Sequence, residues 1–191
     1  EGMIFVALEG EKESGIRYIA EAVNSGAGAL LIPGDLKIEK ETGIPVFAAD
    51  DTLKALQKLA SDYRANSEAR CVGITGTVGK TETKELITAM LSERYRVHST
   101  RGNYNNHIGV PLTILSMEKD TEVIVVEMGA NHEREIELLA SIARPEIGVI
   151  TNVGPGHLEF FGSLEGVARA KSELLRALPS NGRAILPADS E

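Results

Sequence analysis

The chain has 191 residues, 42% of them apolar and 25% charged, with 20 basic against 28 acidic side chains and a formal net charge of -8. That is the composition of a globular protein with one large domain or two small ones, and it lacks the concentrated basic face of a nucleic-acid binder. No apolar run approaches a bilayer span, no basic-then-apolar secretory pattern opens the chain, and the single cysteine, Cys71, has no intrachain partner, so a cytoplasmic protein without membrane insertion is expected.

Strand-like and helix-like segments alternate, which predicts an α/β protein with a mostly parallel sheet. Met3 to Leu8 reads as a strand. Ile16, Ile19, Ala20 and Val23 keep helical spacing up to a stop at Gly26. Ala29 to Ile32 and Pro45 to Ala48 read as short strands, and Leu53, Leu56, Leu59, Ala60 and Tyr63 as an amphipathic helix. The polar stretch Arg64 to Arg70 predicts a boundary between a small N-terminal α/β domain, 1–69, and a second domain, 70–191. Val72 to Thr75 resumes as a strand and Lys80 to about Glu93 as a helix. A strand at Val123 to Met128, a helix from Glu133 to Ile142 and a strand at Ile147 to Thr151 follow. Ser163 to Leu178 is a helix with Leu164, Val167, Ala168, Leu174, Leu175 and Leu178 as its apolar side, and Ala184 to Leu186 begins one more strand. Both ends fall close to strands, as expected of a fragment.

The sharpest chemical signal is Gly73-Ile74-Thr75-Gly76-Thr77-Val78-Gly79-Lys80-Thr81. Glycines let a backbone turn tightly and approach an anion, and the free N–H groups and dipole of the helix that follows favour phosphate. Thr75, Gly76, Thr77, Val78 and Gly79 form the cradle, Lys80 would reach the β- and γ-phosphates, and the Thr81 hydroxyl would ligate Mg2+. The general phosphate-loop pattern puts a glycine at position 74, where this chain has Ile74, so the shorter form T-G-x-x-G-K-T fits instead. Glu82 belongs to the same loop end, and its carboxylate reads as a solvated acid favoured by the helix dipole. Glu127 ends an apolar strand, where the ligand crevice of an open α/β sheet lies.

Four segments in order resemble the Mur ligases: Thr75 to Thr81; Gly102-Asn103-Tyr104-Asn105-Asn106-His107-Ile108-Gly109-Val110-Pro111-Leu112-Thr113; Glu127-Met128-Gly129-Ala130-Asn131-His132; and Asn152-Val153-Gly154-Pro155-Gly156-His157-Leu158. The second and third are similar to the MurF type in particular. Phe5 to Gly10 and the helix after it resemble the part of that family that recognises the uridine nucleotide, although an Asp-Ser-Arg stretch usual just upstream is not present.

The resemblance implies a P-loop α/β ATP-binding domain behind a small N-terminal domain. It implies ATP and Mg2+ as cofactors, with UDP-N-acetylmuramoyl-tripeptide and D-alanyl-D-alanine as substrates. The implied reaction is amide formation through an acyl phosphate in peptidoglycan precursor synthesis, by a monomer. It makes Glu127 a metal ligand and His157 a ligand of a second Mg2+. Lys171 falls where the family carries a carbamylated lysine, whose two oxygens can bridge to metal. Lys80, Lys171 and His157 are then the expected catalytic residues. Asn103, Tyr104, Asn105, Asn106 and His107 are the expected substrate contacts, with His132 as further polar lining. His98 is given no role. A related ligase adding another amino acid, or a nucleotide-binding module without ligase activity, is the alternative; no Asn-Lys-x-Asp guanine motif supports a GTPase.

Overall fold

The computed structural model describes residues 2–10, 13–36, 42–156 and 158–188. They form two compact units, Glu1–Lys58 and Leu59–Glu191, and the helix Thr52–Ala65 runs through the division.

In the first unit, β1 (Ile4–Val6), β2 (Ala29–Pro33) and β3 (Val46–Ala49) make a parallel sheet in that order. The expected helix after β1 is a short 3-10 turn, Gly15–Tyr18, running into α1 (Ile19–Asn24). Ser14 opens the turn by accepting the Ile16 N–H on its side chain. Ala7, Leu30 and Ile32 form the core, with Phe5, Ile16, Ile19 and Val23 packed against it. α2 (Thr52–Ala65) starts here, and its Thr52 hydroxyl donates to the Ala7 carbonyl at 3.0 Å.

The second unit is built on a five-stranded sheet, all parallel, in the order β5 (Val97–Ser99), β6 (Val123–Glu127), β4 (Arg70–Thr75), β7 (Ile147–Ile150), β8 (Arg183–Ile185). β6 shows why the sheet is covered on both sides. Val123 and Val125 point into one apolar cluster and Ile124 and Val126 into the other, with all four buried. α3 (Lys80–Ser92) packs Ile87 and Leu91 on the first face. α4 (Gly109–Leu115), α5 (Glu135–Ala143), α7 (Leu164–Arg176) and Ala60 of α2 cover the second.

α5 begins two residues later than the spacing suggested. Arg134 takes a left-handed backbone (φ 71) at its cap, and Glu173 of α7 accepts both the Arg134 N–H at 2.7 Å and the Glu137 N–H at 3.0 Å. A single-turn helix, α6 (Leu158–Phe161), was not expected; four residues carry too little periodicity to be read.

The helix after β4 lies on one face and the helices after β6 and β7 on the other. The chain thus departs in opposite directions from two adjacent strands. A crevice opens at their carboxyl ends, between Thr75 and Glu127.

Candidate active site

The loop from Thr75 to Thr81 leaves β4 into that crevice. Two of its glycines are needed as glycines. Gly76 (φ 151) lies against Thr151, where any side chain would collide with the hydroxyl, and Gly79 (φ 79) is the left-handed N-cap of α3. Lys80 folds back over the loop, its ammonium donating to the Gly76 carbonyl at 2.9 Å and the Thr77 carbonyl at 3.1 Å. The Thr75 side-chain oxygen is fully buried and has no hydrogen-bond partner among the described residues.

Thr81 meets Glu127 here. Its hydroxyl donates to one carboxylate oxygen of Glu127 at 3.0 Å, and the Asn105 amide donates to the other at 2.8 Å. Glu127 is buried, with 2% of its surface exposed. A carboxylate and a hydroxyl side by side are hard oxygen donors, and Mg2+ takes one or two protein oxygens and fills its shell with water and phosphate. The donor set therefore suits that ion. Among the described residues no group of three or more His, Cys, Asp and Glu side chains gathers as a self-sufficient metal cage.

A cavity of about 320 Å³ adjoins the loop, lined by Gly76, Thr77, Lys80, Asn105, Asn106, His107 and Lys171 among others. Thus Lys80, Lys171 and three of the five expected substrate contacts line one cavity. Asn103 and Tyr104 do not line it, and Tyr104 stands exposed. Val78 is exposed at the loop tip, and Glu82 is exposed on the first turn of α3. His132 lies outside the lining, 3.3 Å from Glu135 and with its ring tilted against that of Phe160, centroids 4.8 Å apart. His157 lies outside the described residues.

Lys171 is buried, 3% exposed, with its ammonium 5.8 Å from the centre of the Phe161 ring. Burial first, and the like charge of Lys80 second, pull its pKa down from 10.5 to about 8. Its neutral form, the one that can act as a nucleophile, is therefore reached at lower pH than for an ordinary lysine.

Sequence reading gave Asn152 no separate role, yet its side chain anchors the loop. Its Oδ1 accepts the Thr77 N–H at 3.1 Å and the Val78 N–H at 3.0 Å. Next to it the Thr151 hydroxyl donates to the Val78 carbonyl, and Thr77 exchanges bonds with the Gly154 backbone at 3.1 Å. The signal was topological: a polar residue just past a strand adjacent to the loop strand.

A profile of the Mur ligase middle domain matches residues 74–191. The chain belongs to that family. Among similar curated proteins, the UDP-N-acetylmuramoyl-tripeptide--D-alanyl-D-alanine ligase of Bacillus subtilis is 43% identical over 97% of this chain and 40% of its own length. The Escherichia coli protein of the same name is 43% identical over 99% of this chain and 41% of its own. Among solved structures, MurF from Acinetobacter baumannii superposes with a TM-score of 0.89 at 35% identity, covering 98% of this chain and 41% of that one. MurF ligase from Thermotoga maritima, solved in complex with ADP, gives 0.88 at 36% identity, covering 99% and 43%. The chain thus spans about two fifths of the length of these family members. The expected α/β fold with parallel sheets is the fold of these neighbours. No helix among the described residues is long and apolar enough to cross a membrane.

Proposed function

We propose that this chain is the nucleotide-binding part of an ATP-dependent amide ligase of the MurF kind, joining D-alanyl-D-alanine to UDP-N-acetylmuramoyl-tripeptide. The observation that carries the reading is the pairing of Thr81 with Glu127 beside a phosphate loop whose Lys80 lines the same cavity as Lys171. Similarity to the named ligases along nearly the whole chain supports the choice of substrates, and the ADP complex of the Thermotoga maritima protein supports the choice of nucleotide.

In this reading the backbone N–H groups from Gly79 to Glu82, at the start of α3, and the Lys80 ammonium receive the phosphates. Thr81 and Glu127 hold Mg2+, with His157 and a carbamylated Lys171 serving a second ion; the metal supplies charge neutralisation on the triphosphate. The tripeptide carboxylate, placed by Asn105, Asn106 and His107 with Asn103 and Tyr104 as further contacts, attacks the γ-phosphorus. An O–P bond forms, ADP leaves, and an acyl phosphate results. The dipeptide amine then attacks the acyl carbon, phosphate leaves with the C–O bond, and the amine proton is lost as the amide forms. Catalysis by this chain is positioning and electrostatic stabilisation. The N-terminal segment, 1–69, serves the uridine end of the substrate, the protein works as a cytoplasmic monomer, and residues 70–191 serve the nucleotide.

Two measurements test this. Calorimetry of this chain with ADP and Mg2+ gives a binding isotherm that Lys80→Ala abolishes. In a polypeptide carrying this chain at the full length of its relatives, ADP release depends on tripeptide and dipeptide together and disappears with Lys80→Ala. Undiminished turnover in that variant refutes the reading.

A further inference from the structure

Among the described residues Lys84 is the largest fully buried side chain, with 1% of its surface exposed. It lies on the inward face of α3, one turn beyond Lys80 and in line with Ile87 and Leu91, where a leucine would serve packing. Burying an ammonium costs far more than burying an alkyl chain unless it is bonded. This one donates to the Thr100 carbonyl at 2.8 Å and pairs at 2.8 Å with Glu85, whose own side chain is largely exposed.

Thr100 is itself buried and is bonded three ways. Its N–H donates to the Val125 carbonyl at 3.0 Å, its carbonyl takes the Lys84 ammonium, and its hydroxyl accepts the Glu127 N–H at 3.0 Å. The same loop then carries Asn105, which bonds the Glu127 carboxylate through its side chain and the Gly129 N–H through its carbonyl. The phosphate-loop helix, the loop from Thr100 to Asn105 and the end of β6 are thereby joined through one threonine.

We propose that Lys84 is a positioning residue: acting through Thr100, it sets the Glu127 carboxylate at the distance from Thr81 at which a divalent cation is held beside the phosphate loop. The proposal rests on the nucleotide reading above. It explains why an inward-facing helix position carries a charge. A leucine would pack there and leave the Thr100 carbonyl without its tie to α3.

The test compares this chain with Lys84→Met, Thr100→Val, the double variant, Thr100→Ser and Glu85→Gln. Two readouts are used: ADP affinity as a function of Mg2+ concentration, with an EDTA arm, and the backbone amide resonances of Asn105 and Glu127 without nucleotide. Lys84→Met and Thr100→Val each raise the Mg2+ concentration for half-maximal ADP binding about tenfold, as loss of a partner behind a metal ligand does. ADP binding in EDTA stays unaltered. The double variant is no worse than either single one, because both cut the same link. Thr100→Ser restores the behaviour lost in Thr100→Val, and Glu85→Gln has no effect. The Asn105 and Glu127 resonances move in both single variants.

An unchanged Mg2+ dependence in Lys84→Met or Thr100→Val, or unmoved resonances at Asn105 and Glu127, overturns the proposal. Should Lys84→Met fail to fold, Thr100→Val decides, since it keeps the ammonium bonded and removes only the hydroxyl. Should the unaltered chain take no ADP, the nucleotide reading falls and the two resonances still decide the link.

Discussion

The Asn152 side-chain oxygen accepts the Val78 N–H at 3.0 Å, and the neighbouring Thr77 N–H at 3.1 Å. A side chain from the end of β7 thus holds the tip of the phosphate loop from outside β4. Asn152→Ala leaves both amides without that acceptor and should lower unfolding stability by about 1–2 kcal/mol, read by urea denaturation. Asn152→Asp keeps an acceptor in place but sets a negative charge against the loop. It should unfold close to the unaltered protein while weakening ADP at least about tenfold, a small Coulomb cost at this range. Equal ADP affinity in Asn152→Asp would mean that no phosphate approaches this tip.

Lys171 gives a pH dependence with a definite sign. Its pKa falls from 10.5 to about 8 on folding, through burial first and Lys80 second. Between these values the unfolded chain binds more protons than the folded one, so stability rises with pH across that window. Below about 8 the folded state carries the full penalty of the buried charge. Lys171→Met should flatten the rise between pH 8 and 10.5 in a series of denaturation curves. A rise of the same size in the variant would assign it to other groups.

The neutral fraction of the Lys171 amine also makes it a target for carbon dioxide. Carbon-13 NMR in labelled bicarbonate at pH 8 should show a carbamate signal that Lys171→Ala removes. A signal surviving that change would belong to another amine.

Cys71 is buried in β4, and burial drives its thiol up to about 12. The thiolate is the reactive form, so a disulfide reagent at pH 8 should leave the native protein untouched and titrate one thiol after guanidinium is added. Fast reaction without denaturant would show that β4 opens locally.

Glu173 joins α7 to α5. It caps α5 from α7 with two bonds to backbone N–H groups, at 2.7 and 3.0 Å. Glu173→Ala should cost about 2 kcal/mol, as loss of charge-assisted hydrogen bonds does, with helix content falling in circular dichroism. A change below about 0.5 kcal/mol would show that water replaces the carboxylate.

What the sequence carried was whatever repeats at short range. The strands around Ile32, Val72, Val125 and Val149 were legible from apolar runs, and the loop at Lys80 from glycine spacing. Contacts made across the sheet were not. Asn152 and Val78 are 74 positions apart and meet because β7 lies beside β4. Glu127 and Asn105 meet because the loop after β5 folds back over β6. Charged residues on helices were misleading in a regular way. α7 buries Val167, Ala170, Lys171 and Leu174, while Leu164, counted with the apolar side, is 44% exposed. Lys84 escaped notice for the same reason: a basic side chain within a helix reads as solvated until its partner is seen.

The cavity beside the phosphate loop is lined by residues that follow β4, β6 and β7 (Gly76, Gly129 and Gly156) and by Lys171 of α7. These segments are far apart in the sequence and come together only when β4, β6 and β7 pair. A nucleotide that settles there is consequently a keystone. It recognises the finished arch alone, and by mass action a concentration one hundred times its Kd adds about 2.7 kcal/mol to the folded form. Under the proposed function, protection of the chain from proteases by added ADP would gauge whether the crevice is filled.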